Sequence, residues 1–175
     1  DGVVSQAEID GRHAVNVIEH PEGGLLVVGR NNLVRYTDDG ALDTSFGTNG
    51  FADNHFNWGS SVAITADGRI VVGGDRYGGS GAWWRQAYFS LSGDFLGGDT
   101  NVYQSRPGSG RSGGIYPLGD GTTVMVGSVN TYHSGFITSV RLGPNENVGA
   151  NGNTISEHTM PNLTDSVGIE SSMRL

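Results

Sequence analysis

The pentapeptide GRSGG, Gly110 to Gly114, sets Ser112 between glycines at the spacing of a nucleophile elbow, the turn that exposes a serine hydroxyl for acyl transfer. That chemistry needs a strand, a sharp turn and then a helix. The surrounding RPGSGRSGG is a Gly/Ser-rich loop running into a β-rich segment, so no catalytic serine is assigned. Five histidines stand at 13, 20, 55, 133 and 158, and no two have the i, i+4 spacing of a helical zinc pair. Asp53 with His55, and Glu157 with His158, are the nearest pairings of acid and imidazole. Residues two apart on a strand share a face, so Asp53 and His55 can converge there as metal ligands or as a general base; a solvated strand face is the plainer reading. A polysaccharide hydrolase or lyase would need Asp53, His55, Tyr132 and His133 to meet in one pocket.

Two other groups invite a ligand. Asp38, Asp39 and Asp43 are the candidate calcium set, but they lack the alternating oxygens and the terminal bidentate Glu of a recognised loop. No metal and no cofactor are therefore expected. The aromatics Trp58, Trp83, Trp84 and Tyr88 lie beside Asn, Asp and Arg, a mixture suited to stacking on apolar sugar faces or to anchoring a protein partner. Against that stands core packing of at least one of the adjacent tryptophans. Asn162, Leu163 and Thr164 form a sequon.

The elements that must position these side chains read as strands. No long segment keeps apolar residues at helical spacing, and glycine, 30 of 175 residues, interrupts every candidate. In SVAITADGRIVVGG a β-rich run meets Asp67 and Gly68, a strong hairpin signal, and a second run begins at Ile70. Asp120 and Gly121 repeat that turn, and Glu22 and Gly23 form its weaker version. Further strands are expected at 32–36, 83–91 and 135–142.

Self-comparison reveals a repeat. PEGGLLVVG, ADGRIVVGG and GDGTTVMVG align, and their last glycines, Gly29, Gly74 and Gly127, lie 45 and 53 positions apart. FGTNG (Phe46 to Gly50) matches VGANG (Val148 to Gly152), and SVAITADGRI (Ser61 to Ile70) matches SVGIESSMRL (Ser166 to Leu175). The fold expected is all-β: β-propeller blades, three repeats plus the start of a fourth, in a single segment spanning 1–175. The units are about 1–48, 49–98, 99–150 and a partial 151–175.

The segment PEGGLLVVGRNNLVRYTDDGALDTSFGTNG resembles the delta-60 repeat, a bacterial propeller-type repeat. The matches are Pro21, Gly23, Leu25, Gly29, Arg35, Tyr36, Gly40, Leu42, Asp43, Phe46, Gly47 and Gly50, with a thinner set in the later units. Within it, Leu42 and Phe46 read as apolar anchors under a connection between blades. Asp43 reads as an Asx-type turn former, and Gly47 and Gly50 as positions of positive φ. The resemblance implies a non-enzymatic structural or binding module displaying loops to a protein or glycan, exported, periplasmic or at the cell surface.

Charge narrows the partners. With Lys+Arg 10 against Asp+Glu 18, the formal charge is -8, which disfavours nucleic acid and anionic membrane surfaces. No apolar run approaches the roughly 20 residues of a membrane span. A closed propeller needs about four or more blades, so this chain is expected to be part of a larger propeller, completed by additional blades or by neighbouring chains in a filament or lattice.

Overall fold

The computed structural model describes residues 14–78, 81–105, 111–119, 121–131 and 134–142. Within them the chain is all-β, with no helix, and forms three antiparallel sheets. The first contains β1 (Asn16–Glu19), β2 (Leu25–Val28), β3 (Asn32–Tyr36) and β4 (Phe51–Asp53). The second contains β5 (Trp58–Ile64), β6 (Ile70–Gly78), β7 (Gly81–Phe89) and β8 (Phe95–Ser105). The third contains β9 (Arg111–Pro117), β10 (Thr123–Thr131) and β11 (Ser134–Leu142). Each is a meander of neighbouring strands, and no sheet closes on itself. The sheets break between β4 and β5, a few residues beyond the expected unit boundary at 48.

One turn recurs at a single end of the sheets. His20–Gly24, Thr37–Ala41, Thr65–Arg69, Ser90–Asp94 and Leu118–Thr122 each close when the first residue's N–H donates to the fifth residue's carbonyl and the fourth residue's N–H to the first residue's carbonyl. The fourth residue is always glycine, with φ of 92, 82, 78, 88 and 82 degrees at Gly23, Gly40, Gly68, Gly93 and Gly121. This is the three-residue hairpin loop ending in a left-handed bulge, which glycine adopts without a Cβ clash. Asp67 and Gly68 thus mark a hairpin whose loop is one residue longer than the two-residue type that Asp-Gly most often signals. Glu22 and Gly23 form the same turn at full strength.

Strand alternation sends one set of side chains forward and the other back. Leu26, Val28 and Leu33 of the first sheet meet Val62, Ile70, Val72, Ala87 and Phe89 of the second in one buried cluster. On the far side of the second sheet, Val71, Trp84 and Tyr88 pack with Ile115 and Met125 of the third. That second seam also carries polar contacts. The Ser60 hydroxyl donates to the Gly73 carbonyl at 3.0 Å, leaving the Ser112 hydroxyl, 2.9 Å away, to donate to Ser60 Oγ. Ser112 N–H donates to Asp75 Oδ1 at 2.9 Å, and Thr123 Oγ1 to Gln86 Oε1 at 2.8 Å.

The segment ALDTSFGTNG, expected as a connection between blades, instead links β3 to β4 within the first sheet and reaches across to the second. Phe46 is buried in the cluster between them, and Gly47 N–H donates to the Ser92 carbonyl of the second sheet at 2.7 Å. Asp43 Oδ1 accepts the Ser45 N–H at 3.0 Å, an Asx turn that aims Phe46 across the seam. Gly47 lies at φ 51 degrees, and a Cβ there would meet the Phe51 carbonyl oxygen at 2.2 Å.

Candidate functional site

The sheet end opposite the recurring turns gathers polar and aromatic groups. It holds the β2 to β3 connection, the crossover from β4 to β5 and the last residues of β6. Asn54, fully buried, braces it: Nδ2 donates to the Gly29 and Arg30 carbonyls at 3.1 and 3.3 Å, while Oδ1 accepts the Phe56 N–H at 3.0 Å. With its backbone held by this amide and by the Gly59 N–H, Arg30 reaches sideways. Its Nε donates to the Asn57 carbonyl at 3.0 Å, and its guanidinium lies 5.0 Å from the Trp58 ring centroid. Asn57 Oδ1 accepts the Tyr77 N–H at 2.9 Å. Arg30, Asn57 and Tyr77 are exposed and Trp58 is half-buried. A cation, an amide, an indole and a phenol thus share one rigid edge, a combination that stacks on apolar ring faces and hydrogen-bonds hydroxyls.

The other residues singled out in the sequence fall elsewhere. Trp84 and Tyr88 are core residues between the second and third sheets. Both have even numbers on β7 and so share the face that the third sheet covers, where no ligand reaches them. Trp83 pairs with Arg76 across the ladder, and its side chain lies outside the described residues, as do Tyr132 and His133. Asp53 and His55 do not form a strand face, because β4 ends at Asp53 and His55 adopts φ 60 degrees. Asp53 Oδ1 accepts the His55 backbone N–H at 2.7 Å, and the His55 ring packs on Phe95 with centroids 4.4 Å apart. Ser112 sits within β9, its hydroxyl in the buried contact to Ser60, so the strand, turn and helix of a nucleophile elbow are not formed there.

The calcium candidates diverge. Asp38 Oδ1 accepts the Gly24 N–H at 2.6 Å, Asp39 takes the Thr37 hydroxyl, and Asp43 takes Ser45 and faces Arg35 Nη1 at 3.2 Å. Among the described residues no group of three or more His, Cys, Asp or Glu comes together to hold a metal. The hydroxyls of Thr37, Ser45 and Thr65 hold the carboxyls of Asp39, Asp43 and Asp67 below the usual range.

His20 was passed over in the sequence because its role depends on a neighbour 71 positions away. Its Nδ1 accepts the Glu22 N–H at 3.2 Å, so Nε2 carries the proton and donates to the Leu91 carbonyl of the second sheet at 3.1 Å. Burial, and then the nearby Arg35 guanidinium, push its pKa below the ordinary 6.5. The unfolded chain therefore takes up the proton first as pH falls. The stabilising contribution of neutral His20 is complete above about pH 6.5 and drains away as pH descends toward the lower folded value. Urea midpoints measured between about pH 7.5 and 5.5 fall for the wild type, and the fall is shallower in His20→Gln. Equal slopes in the two proteins would remove His20 from this role.

No family model matches the chain, and no curated protein matches it significantly.

Proposed function

We propose that this chain is a non-enzymatic structural and binding module of delta-60-like β-propeller type, whose sheets act as blades holding loops rigidly for a glycan or protein partner. The observation that carries the reading is the edge formed by Arg30, Asn57, Trp58 and Tyr77, locked through the buried amide of Asn54. Rigid display lowers the entropy lost on binding, because the recognising groups are already ordered. Forward packing of successive sheets and the repeated turn support the blade assignment. The acidic, Lys-free composition suits an exported or cell-surface setting.

An array of bacterial and plant polysaccharides is the test. The wild-type chain retains at least one glycan, and Arg30→Ala with Tyr77→Ala weakens retention about tenfold or more, near 1.4 kcal/mol, with the thermal midpoint unchanged. Full retention by the double variant would remove the basis of the reading.

A further inference from the structure

Arginines at the two ends of the sheets have different partners. Arg35 pairs with Glu22 and Asp43, and Arg69 with Asp67, at the end that carries the recurring turns. At the opposite end, no carboxylate among the described residues pairs with Arg30 or Arg76, although the chain holds 18 acidic residues against 10 basic ones. Arg30 uses Nε on the Asn57 carbonyl, and its two terminal nitrogens have no acceptor among the described residues.

The ladder brings these two together. Asn57 N–H donates to the Asp75 carbonyl at 3.0 Å and Asn57 Oδ1 accepts the Tyr77 N–H at 2.9 Å, so Arg76 lies across from Asn57. Alternation along β6 then gives its direction. Ile70 and Val72 face the first sheet in the buried cluster, and a Cβ on Gly74 would meet the Phe56 ring at 2.6 Å on that same side. β6 keeps an unbroken register with β7 through this stretch, so Arg76 also faces the first sheet, from which Arg30 reaches across. Asp75, on the other face, accepts the Ser112 N–H, and Asp53 accepts the His55 N–H. Two exposed guanidiniums therefore stand at one mouth of the seam between the first and second sheets, neither offset by a paired carboxylate.

We infer that this mouth binds the carboxylate of an acidic polysaccharide, a polymer containing uronic acid residues. The inference rests on the display reading above and narrows its ligand. A guanidinium is a planar fork that matches a carboxylate through two parallel hydrogen bonds. Arg30 presents such a fork already oriented, because its Nε bond and the Trp58 ring fix its plane, and little side-chain freedom remains to be lost. Arg76 adds the second charge from the facing sheet. Asn57 Nδ2, with no partner among the described residues, offers a donor to a neighbouring hydroxyl. Arg30, Asn57 and Arg76 are all exposed, which suits a length of extended polymer rather than an enclosed small ion. The overall charge of -8 opposes an acidic ligand only at long range. At physiological ionic strength that repulsion is screened beyond about 8 Å, and contacts inside the mouth persist.

Retention of the full chain on immobilised polygalacturonate, alginate and hyaluronan, each beside its carboxyl-reduced form, tests this at physiological ionic strength. At least one native polymer holds the wild type about tenfold more tightly than its reduced counterpart does. Arg76→Gln, at an exposed position, weakens retention on that polymer about tenfold and leaves the thermal midpoint unchanged. Arg69→Gln, the same change of charge at the other end of the sheets, leaves retention unchanged. Retention on neutral glycans alone, equal retention on native and reduced polymers, stronger retention on a sulfated galactan than on any uronate polymer, or an Arg76→Gln protein that binds as the wild type does would each overturn the inference and leave the display reading standing. Retention on no glycan at all would remove the display reading, and this inference with it.

Discussion

Phe46→Ala lowers the unfolding free energy by about 3–5 kcal/mol, the range for deleting a fully buried aromatic ring. The loss has two parts. Removing the ring empties a site walled by Ile70, Phe89 and the partly buried Ile64 and Leu91, and the backbone at Gly47, held to Ser92 by a 2.7 Å hydrogen bond, cannot follow the shrunken side chain inward. The cavity therefore persists, and its walls lose dispersion contacts as well as apolar burial. Because Phe46 leaves the first sheet and enters the second, the damage is to the seam between sheets. Urea unfolding followed by far-ultraviolet circular dichroism gives the magnitude. A loss below about 1 kcal/mol, the level of an exposed position, would mean that the ALDTSFGTNG connection does not couple the sheets.

Trp84→Ala is expected to cost a similar amount, about 3–5 kcal/mol, at the other seam. The indole is fully buried among Val71, Tyr88, Ile115 and Met125, and the cluster it belongs to shares no residue with the one around Phe46. Contacts without common partners contribute independently, so the double variant loses the sum of the two single losses within about 0.5 kcal/mol. This result also separates two roles for the residue. A tryptophan presented to a glycan would, when truncated, weaken binding and leave stability intact; Trp84 does the reverse. Tyr88, beside it, behaves like Trp84.

The candidate edge was half legible in the sequence. Trp58 stood out as an aromatic among polar neighbours, but Arg30, Asn57 and Tyr77 did not, because they come from two connections and the end of β6, brought together only when the first sheet packs on the second. Asn54 had no signal at all: its value lies in two carbonyls more than twenty positions away, at Gly29 and Arg30. Asp53 and His55 misled for a local reason. Two-residue periodicity applies only while a strand lasts, and β4 is three residues long.

What the sequence by itself determined is the local order: β-strands from runs of Val, Ile and aromatics, and the turns from glycine at the fourth place. These depend on neighbours within a few residues, where Cβ sterics and backbone hydrogen bonding decide the outcome. Only the tertiary structure decided which face of each sheet packs on its neighbour, and so which tryptophan is core and which carboxylates are spent on backbone amides. Those choices are set by packing between sheets, where a one-residue change of phase exchanges the buried side chains for the exposed ones.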